Sequence, residues 1–328
     1  MGNYNVYLPS YSVGAGCYKE IPNVARRLGK KAVVIGGRTA IEKAKDALLD
    51  GIANSDMQIV DFIVYGDDST YENVDKLVSD ERVRNADIIF GVGGGRAVDT
   101  CKVVADKLDK PLFTFPTLGS NCAAVTAICV MYNEDHTFKD YYYLDKPADH
   151  TFIDTQIIAE SPEDLFWAGI GDALSKECEA VYSSQGVNLD HTPLMGVGIS
   201  KVCTEPLIKY GKKALEDCKN NTESEELKQV VLDIIISTGL VSNLTTTEND
   251  YYYNSSLAHA FYNGSTLVEG ARGLHGEVVS FGVLTLLTCA GEIQKRRHHA
   301  WKADVNQIHP LSAWYRKRRV REEEKYGV

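Results

Sequence analysis

Apolar residues in the first half of the chain alternate between short unbroken runs and stretches with helical spacing. Residues 31–37 form a β-branched run ending in two glycines, and residues 38–54 then carry Ile41, Ala44, Leu48, Leu49 and Ile52 at one-turn intervals. That predicts a strand, a tight turn and a helix. The pattern repeats as a strand at 58–65, a helix at 69–81 capped by Ser69 or Thr70, and a strand at 86–92. Gly93-Gly94-Gly95 then opens a helix reaching about Leu108, and a strand follows at 112–115. Alternation of this kind specifies a parallel sheet covered on both faces, with ligands at the carboxyl ends of the strands. Residues 127–132 and 138–144, joined through Asn133-Glu-Asp-His136, predict an antiparallel pair, and residues 149–154 bring the chain back.

From Ser161 the periodicity becomes helical, with few strand signals. Ser161-Pro162-Glu163 predicts a helix start that carries through Asp172 to about Ser183, and later helices are expected over 193–217, 224–243, 251–268 and 275–290. The fold class expected is an α/β N-terminal dinucleotide-binding domain with a parallel sheet, residues 1–158, followed by an all-α metal and substrate domain, residues 159–328. Substrate would then sit in the cleft between them.

Composition narrows the partners. A chain of 328 residues with 44% hydrophobic content can build sizeable cores, and a formal charge of -10 argues against nucleic acid or anionic membranes, which select for Lys and Arg. A small molecule is the better partner. Eight scattered cysteines without a CxxC pair predict buried thiols in a reducing cytoplasm rather than a disulfide framework. No apolar stretch approaches a membrane span, and no signal peptide is apparent.

Three stretches carry candidate chemistry. Asp172 in Gly-Ile-Gly-Asp-Ala-Leu, His259 in Leu-Ala-His-Ala-Phe and His275 in Leu-His-Gly-Glu are good first-row metal ligands set among small and apolar residues. A divalent cation would offset the cost of burying them, and three protein ligands leave a fourth position for water or substrate oxygen. Taken singly, each has a plainer explanation: a cap or salt-bridge partner for Asp172, a hydrogen-bonded core histidine for His259, a helix-start residue for His275. The triple glycine lets backbone N–H groups approach a pyrophosphate, although a tight turn with close strand–helix packing would also account for it. It matches neither GxGxxG nor a P-loop.

Taken together, the motifs at 93–102, 116–120, 169–174, 258–260 and 275–277, in that order, resemble the glycerol dehydrogenase branch of the iron-containing (group III) alcohol dehydrogenase superfamily, whose fold includes dehydroquinate synthase. The resemblance runs from the N-terminus to about residue 290. It implies that Asp172, His259 and His275 hold one divalent metal per chain, and that Gly93, Gly94, Gly95, Asp99, Lys102, Thr117 and Ser120 line NAD or NADP. The implied reaction is hydride transfer between the cofactor and a small alcohol or polyol such as glycerol, in a homo-oligomer.

Three departures matter. Cys122 stands in the substrate pocket where glycerol dehydrogenases carry an aspartate, and Cys-Ala-Ala looks more like hydroxycarboxylate dehydrogenases, which reduce small 2-oxo acids. Gly37 stands where relatives that prefer NAD often place an acidic residue, so NADP stays open. Lys176 and Tyr262 replace further histidines of some relatives, which favours zinc over iron. A dehydroquinate-synthase-like lyase would need a cation cluster that residues 118–126 lack, and a degenerate homologue without activity is the non-enzymatic alternative. The stretch from Glu292 holds ten Lys or Arg against five Asp or Glu and loses the apolar periodicity, so an altered or truncated tail is expected rather than a nucleic-acid patch.

Overall fold

A computed structural model describes residues 5–246, 254–268 and 273–290; the expected atypical tail from 292 lies outside the described residues. Six strands form one parallel sheet: β1 (Tyr11–Val13), β2 (Lys31–Gly36), β3 (Gln58–Val64), β4 (Ile88–Gly93), β5 (Leu112–Pro116) and β8 (His150–Ile153), in the spatial order β1-β8-β5-β4-β2-β3. Two more, β6 (Ile128–Tyr132) and β7 (Phe138–Tyr143), pair antiparallel as a separate ribbon. The central strands β2, β4 and β5 are almost wholly buried, which is why they are continuous apolar runs rather than alternating ones. Beneath them Phe115 stacks on Phe152 at 5.2 Å and meets the Tyr18 ring edge-on at 5.0 Å.

The chain crosses from β2 to β3 on one side and then returns past β2 to β4 on the other, so the strand order reverses between β2 and β4. Crevices at such reversals hold ligands outside the carboxyl ends of the strands. Register places Gly36 beside Val92 and Gly93 beside Pro116. Gly37, the triple glycine and the 116–121 turn therefore leave neighbouring strands along one edge.

Differences from the expected elements have local causes. β1 is three residues long and carries little periodicity, and it exists because β8 supplies its hydrogen bonds. The expected helix over 193–217 divides into His191–Ser200 and Thr204–Lys219. The helix over 161–183 starts at Glu163 without a side-chain cap from Ser161, and pauses at Leu174 before Ser175–Ser183. Residues 225–245 run as one rod with a π-helical turn at Asp233–Ser237. That rod is long and apolar enough to cross a membrane, contrary to the sequence reading, but 67% of its apolar window is buried inside the fold, as in a core helix.

Candidate active site

Asp172, His259 and His275 converge. The carboxylate lies in the last turn of the Glu163–Ala173 helix, His259 in the first turn of Leu257–Ser265, and His275 begins His275–Cys289. Close packing brings them together: a Cβ on Gly276 would fall 1.8 Å from the Ala168 carbonyl oxygen, so only glycine lets the third helix start against the first. One ligand atom from each residue lies within 4.8 Å of the other two.

The geometry suits a shared cation better than direct hydrogen bonds. Asp172 Oδ1 is 3.3 Å from His275 Nε2 and 3.5 Å from His259 Nε2, longer than well-formed N–H···O bonds, and this buried oxygen has no hydrogen-bond partner among the described residues. Four ligands about 2.0–2.1 Å from a tetrahedral ion stand roughly 3.3–3.4 Å apart. A buried carboxylate oxygen left without a donor but facing two ring nitrogens is what such an ion would satisfy. Burial alone would raise the Asp172 carboxyl, but the two imidazoles outweigh it and hold the group well below the usual carboxylate range.

Glu179, which sequence reasoning missed, orders the site. It is fully buried, and its Oε1 accepts from the backbone N–H groups of Ser256 (2.8 Å), Ala258 (3.0 Å) and His259 (3.1 Å) at the exposed donors of a helix start. Its Oε2 takes the Nδ1 side of the His259 ring. That contact fixes the ring so that Nε2 faces Asp172. Burial pulls the His259 imidazole down, yet Glu179 and Asp172 overcome it and push it up to about 9. The only sequence signal was spacing: Asp172 and Glu179 are seven apart, two turns along one helical face.

On the sheet side, Gly93 has φ +144°, a conformation that residues with side chains rarely adopt, and a Cβ there would fall 3.7 Å from the Gly37 backbone nitrogen. Gly93, Gly94, Gly95, Pro116, Leu118 and Ser120 line a groove at the start of the Gly95–Lys107 helix, whose N-terminal dipole faces it. Thr117 is buried and held there by its backbone bond to the Gly93 carbonyl (3.3 Å).

Asp99 and Lys102 form an ion pair that their spacing allows, instead of lining the groove as the resemblance implies. The structure pairs them at 2.7 Å, yet beneath the groove rather than along it. Lys102 Nζ is fully buried and donates to the carbonyls of Ala123 (2.9 Å), Thr126 (3.2 Å) and Ile128 (2.6 Å), while Asp99 Oδ2 accepts from Val130 N–H (3.0 Å). With its donors engaged, the ammonium is a fastener between helix and ribbon, not a phosphate ligand. Cys122 heads the turn after Ser120. Burial raises its thiol, opposed by the Lys176 ammonium and reinforced by the Asp172 carboxylate.

A glycine groove at the carboxyl edge of a parallel sheet, beside a cluster able to hold a cation, is the layout of an oxidoreductase that works on alcohols. Comparisons agree: the sequence profile of the iron-containing alcohol dehydrogenases matches residues 9–155. A glycerol dehydrogenase of Thermotoga maritima is 30% identical over 283 residues, 84% of this chain and 74% of that protein. Hydroxycarboxylate dehydrogenase A of Escherichia coli is 29% identical, over 80% of this chain and 71% of its own. The crystal structure of a glycerol dehydrogenase from Schizosaccharomyces pombe superposes with a TM-score of 0.79 at 24% identity, over 95% of this chain and 77% of that one. The chain is an alcohol oxidoreductase and belongs to the iron-containing alcohol dehydrogenase family.

Proposed function

We propose that the protein transfers a hydride between NAD(P) and the CH–OH carbon of a small alcohol or polyol such as glycerol, at a site built on one divalent cation. The observation that carries this reading is the unpartnered Asp172 Oδ1 facing two Nε2 atoms at 3.3 and 3.5 Å. Asp172, His259 and His275 would hold the ion, which when bound supplies a Lewis acid for the reacting oxygen. Two nitrogens and a carboxylate oxygen suit zinc, and neither Lys176, bonded to Asn254, nor Tyr262, packed edge-on at 4.2 Å from His275, adds an imidazole that would favour iron.

The chain's own residues do the rest. Glu179 holds the His259 ring with Nε2 toward the site, and the helix starting at Gly95 offers amides and a dipole to a dinucleotide pyrophosphate. Gly37, Gly93, Gly94, Gly95, Thr117 and Ser120 would line that cofactor. Gly37 places no carboxylate against a ribose hydroxyl, which leaves NADP usable beside NAD. In this reading residues 1–158 carry the dinucleotide and 159–328 the ion and substrate. The enzyme works as a cytoplasmic homo-oligomer.

A second reading, a hydroxycarboxylate dehydrogenase reducing small 2-oxo acids, is favoured by Cys122, whose thiol is a poor acceptor for polyol hydroxyls. Purified protein reconstituted with Zn²⁺ should change nicotinamide absorbance with glycerol, 1,2-propanediol, dihydroxyacetone or 2-oxobutyrate. Silence with every substrate and both cofactors, from folded and metal-loaded protein, would remove the oxidoreductase reading.

A further inference from the structure

Asp172, Lys176 and Glu179 stand four and then three residues apart, so their side chains share one face of consecutive helical turns. Glu179 and Asp172 have their partners in the two histidines. Lys176 has none of opposite charge among the described residues. It is 4% exposed, its ammonium donates to the neutral Asn254 Oδ1 at 2.6 Å, and no described carboxylate lies within ion-pair distance of it. Lys102 shows how differently this chain treats a lysine buried for structure, with an aspartate and three carbonyls around the ammonium. An ammonium carries three donors, and burying it without an anion is costly.

Its neighbours say where the missing anion belongs. Lys176 follows Asp172 by one helical turn, which sets their Cβ atoms about 5–6 Å apart. Gly169, three residues before Asp172, packs against the Gly119 carbonyl and Ser120, so the turn leading to Cys122 lies against the helix that carries Asp172. Cys122 itself is a poor acceptor for a hydroxyl. With neutral histidines, two carboxylates, one divalent ion and one ammonium leave a buried excess of one positive charge. An uncharged polyol leaves that excess in place, whereas a substrate carboxylate removes it.

We propose that Lys176 is the specificity-determining residue that binds the substrate's carboxylate, so that the pocket takes small 2-hydroxy and 2-oxo acids in preference to uncharged polyols. The proposal rests on the ion-site reading above and selects among its substrates. In a 2-oxo acid the carboxylate is bonded to the reacting carbon, so an acid whose oxygen lies at the Asp172 cluster presents its carboxylate within one helical turn.

The test is calorimetric binding of oxamate to Zn²⁺-loaded protein with NADH, with zinc content measured on the same samples. Lys176→Gln, which keeps a donor for Asn254, and Lys176→Met should each bind oxamate about 10- to 100-fold more weakly, while Lys176→Arg should recover part of the loss. Zinc content should stay at the wild-type value. The ratio of kcat/KM for 2-oxobutyrate over dihydroxyacetone should fall by a similar factor. Wild-type protein that holds zinc but binds oxamate no better than Lys176→Gln overturns the carboxylate role alone, and so does an equal loss on both substrates. Failure of the wild type to take up zinc removes the ion site and the proposal with it.

Discussion

The sheet edge and the helical cluster do comparable work by opposite means. In the proposed reading, the functional groups at the sheet edge are backbone amides of contiguous residues, Gly93 to Gly95, and the side chains nearby serve to hold the turn in place. In the cluster they are side chains 87 and 16 residues apart in the chain, brought together by helix packing and aimed by a buried carboxylate. A backbone site tolerates any substitution that keeps the turn. A side-chain site fails with one atom moved.

That contrast can be broken or sharpened by substitution. The largest effect on stability is expected beneath the sheet edge, where Lys102→Met strands the Asp99 carboxylate and three carbonyls; a loss of about 3–5 kcal/mol in urea unfolding is expected. Gly93→Val forces a side chain into φ +144° and should cost about 1–3 kcal/mol. It should also weaken NADH binding in fluorescence titration while leaving zinc content unchanged, and loss of zinc as well would mean the two regions are not separable. Glu179→Gln keeps the shape but weakens the grip on His259, so zinc affinity in a competing-chelator titration should fall about 10- to 100-fold.

The smallest effect lies in the rod of residues 225–245. Burial raises the Asp233 carboxyl from 3.8 to about 7 within the π-helical turn. The folded state therefore holds this proton more tightly than the unfolded chain, so stability falls as pH rises from about 4 to about 7 and is level above that. Asp233→Asn should remove that slope and raise the urea midpoint at pH 8 more than at pH 4. Urea midpoints with an unchanged slope would contradict it.

Legibility in the sequence followed the same divide. The strand–glycine–helix units were readable because a buried parallel strand and the turn that ends it are local patterns, and β2, β4 and β5 fall where their apolar runs lie. Asp172, His259 and His275 were nameable as ligand types, but their convergence depends on Gly276 packing against Ala168, which no local pattern encodes. Glu179 carries no local signal because its partners are some eighty residues away. Lys102 was misplaced for a related reason: its distance from the glycines suits a phosphate, and only the fold shows its ammonium turned inward onto carbonyls.

One cation shared by three residues is most directly tested by zinc stoichiometry on wild-type protein and on Asp172→Asn, His259→Ala and His275→Ala, with circular dichroism confirming that each is folded. One equivalent in the wild type, and little or none in every variant, is the expected result. A variant that folds and keeps its full equivalent would show that the three residues do not hold a common ion.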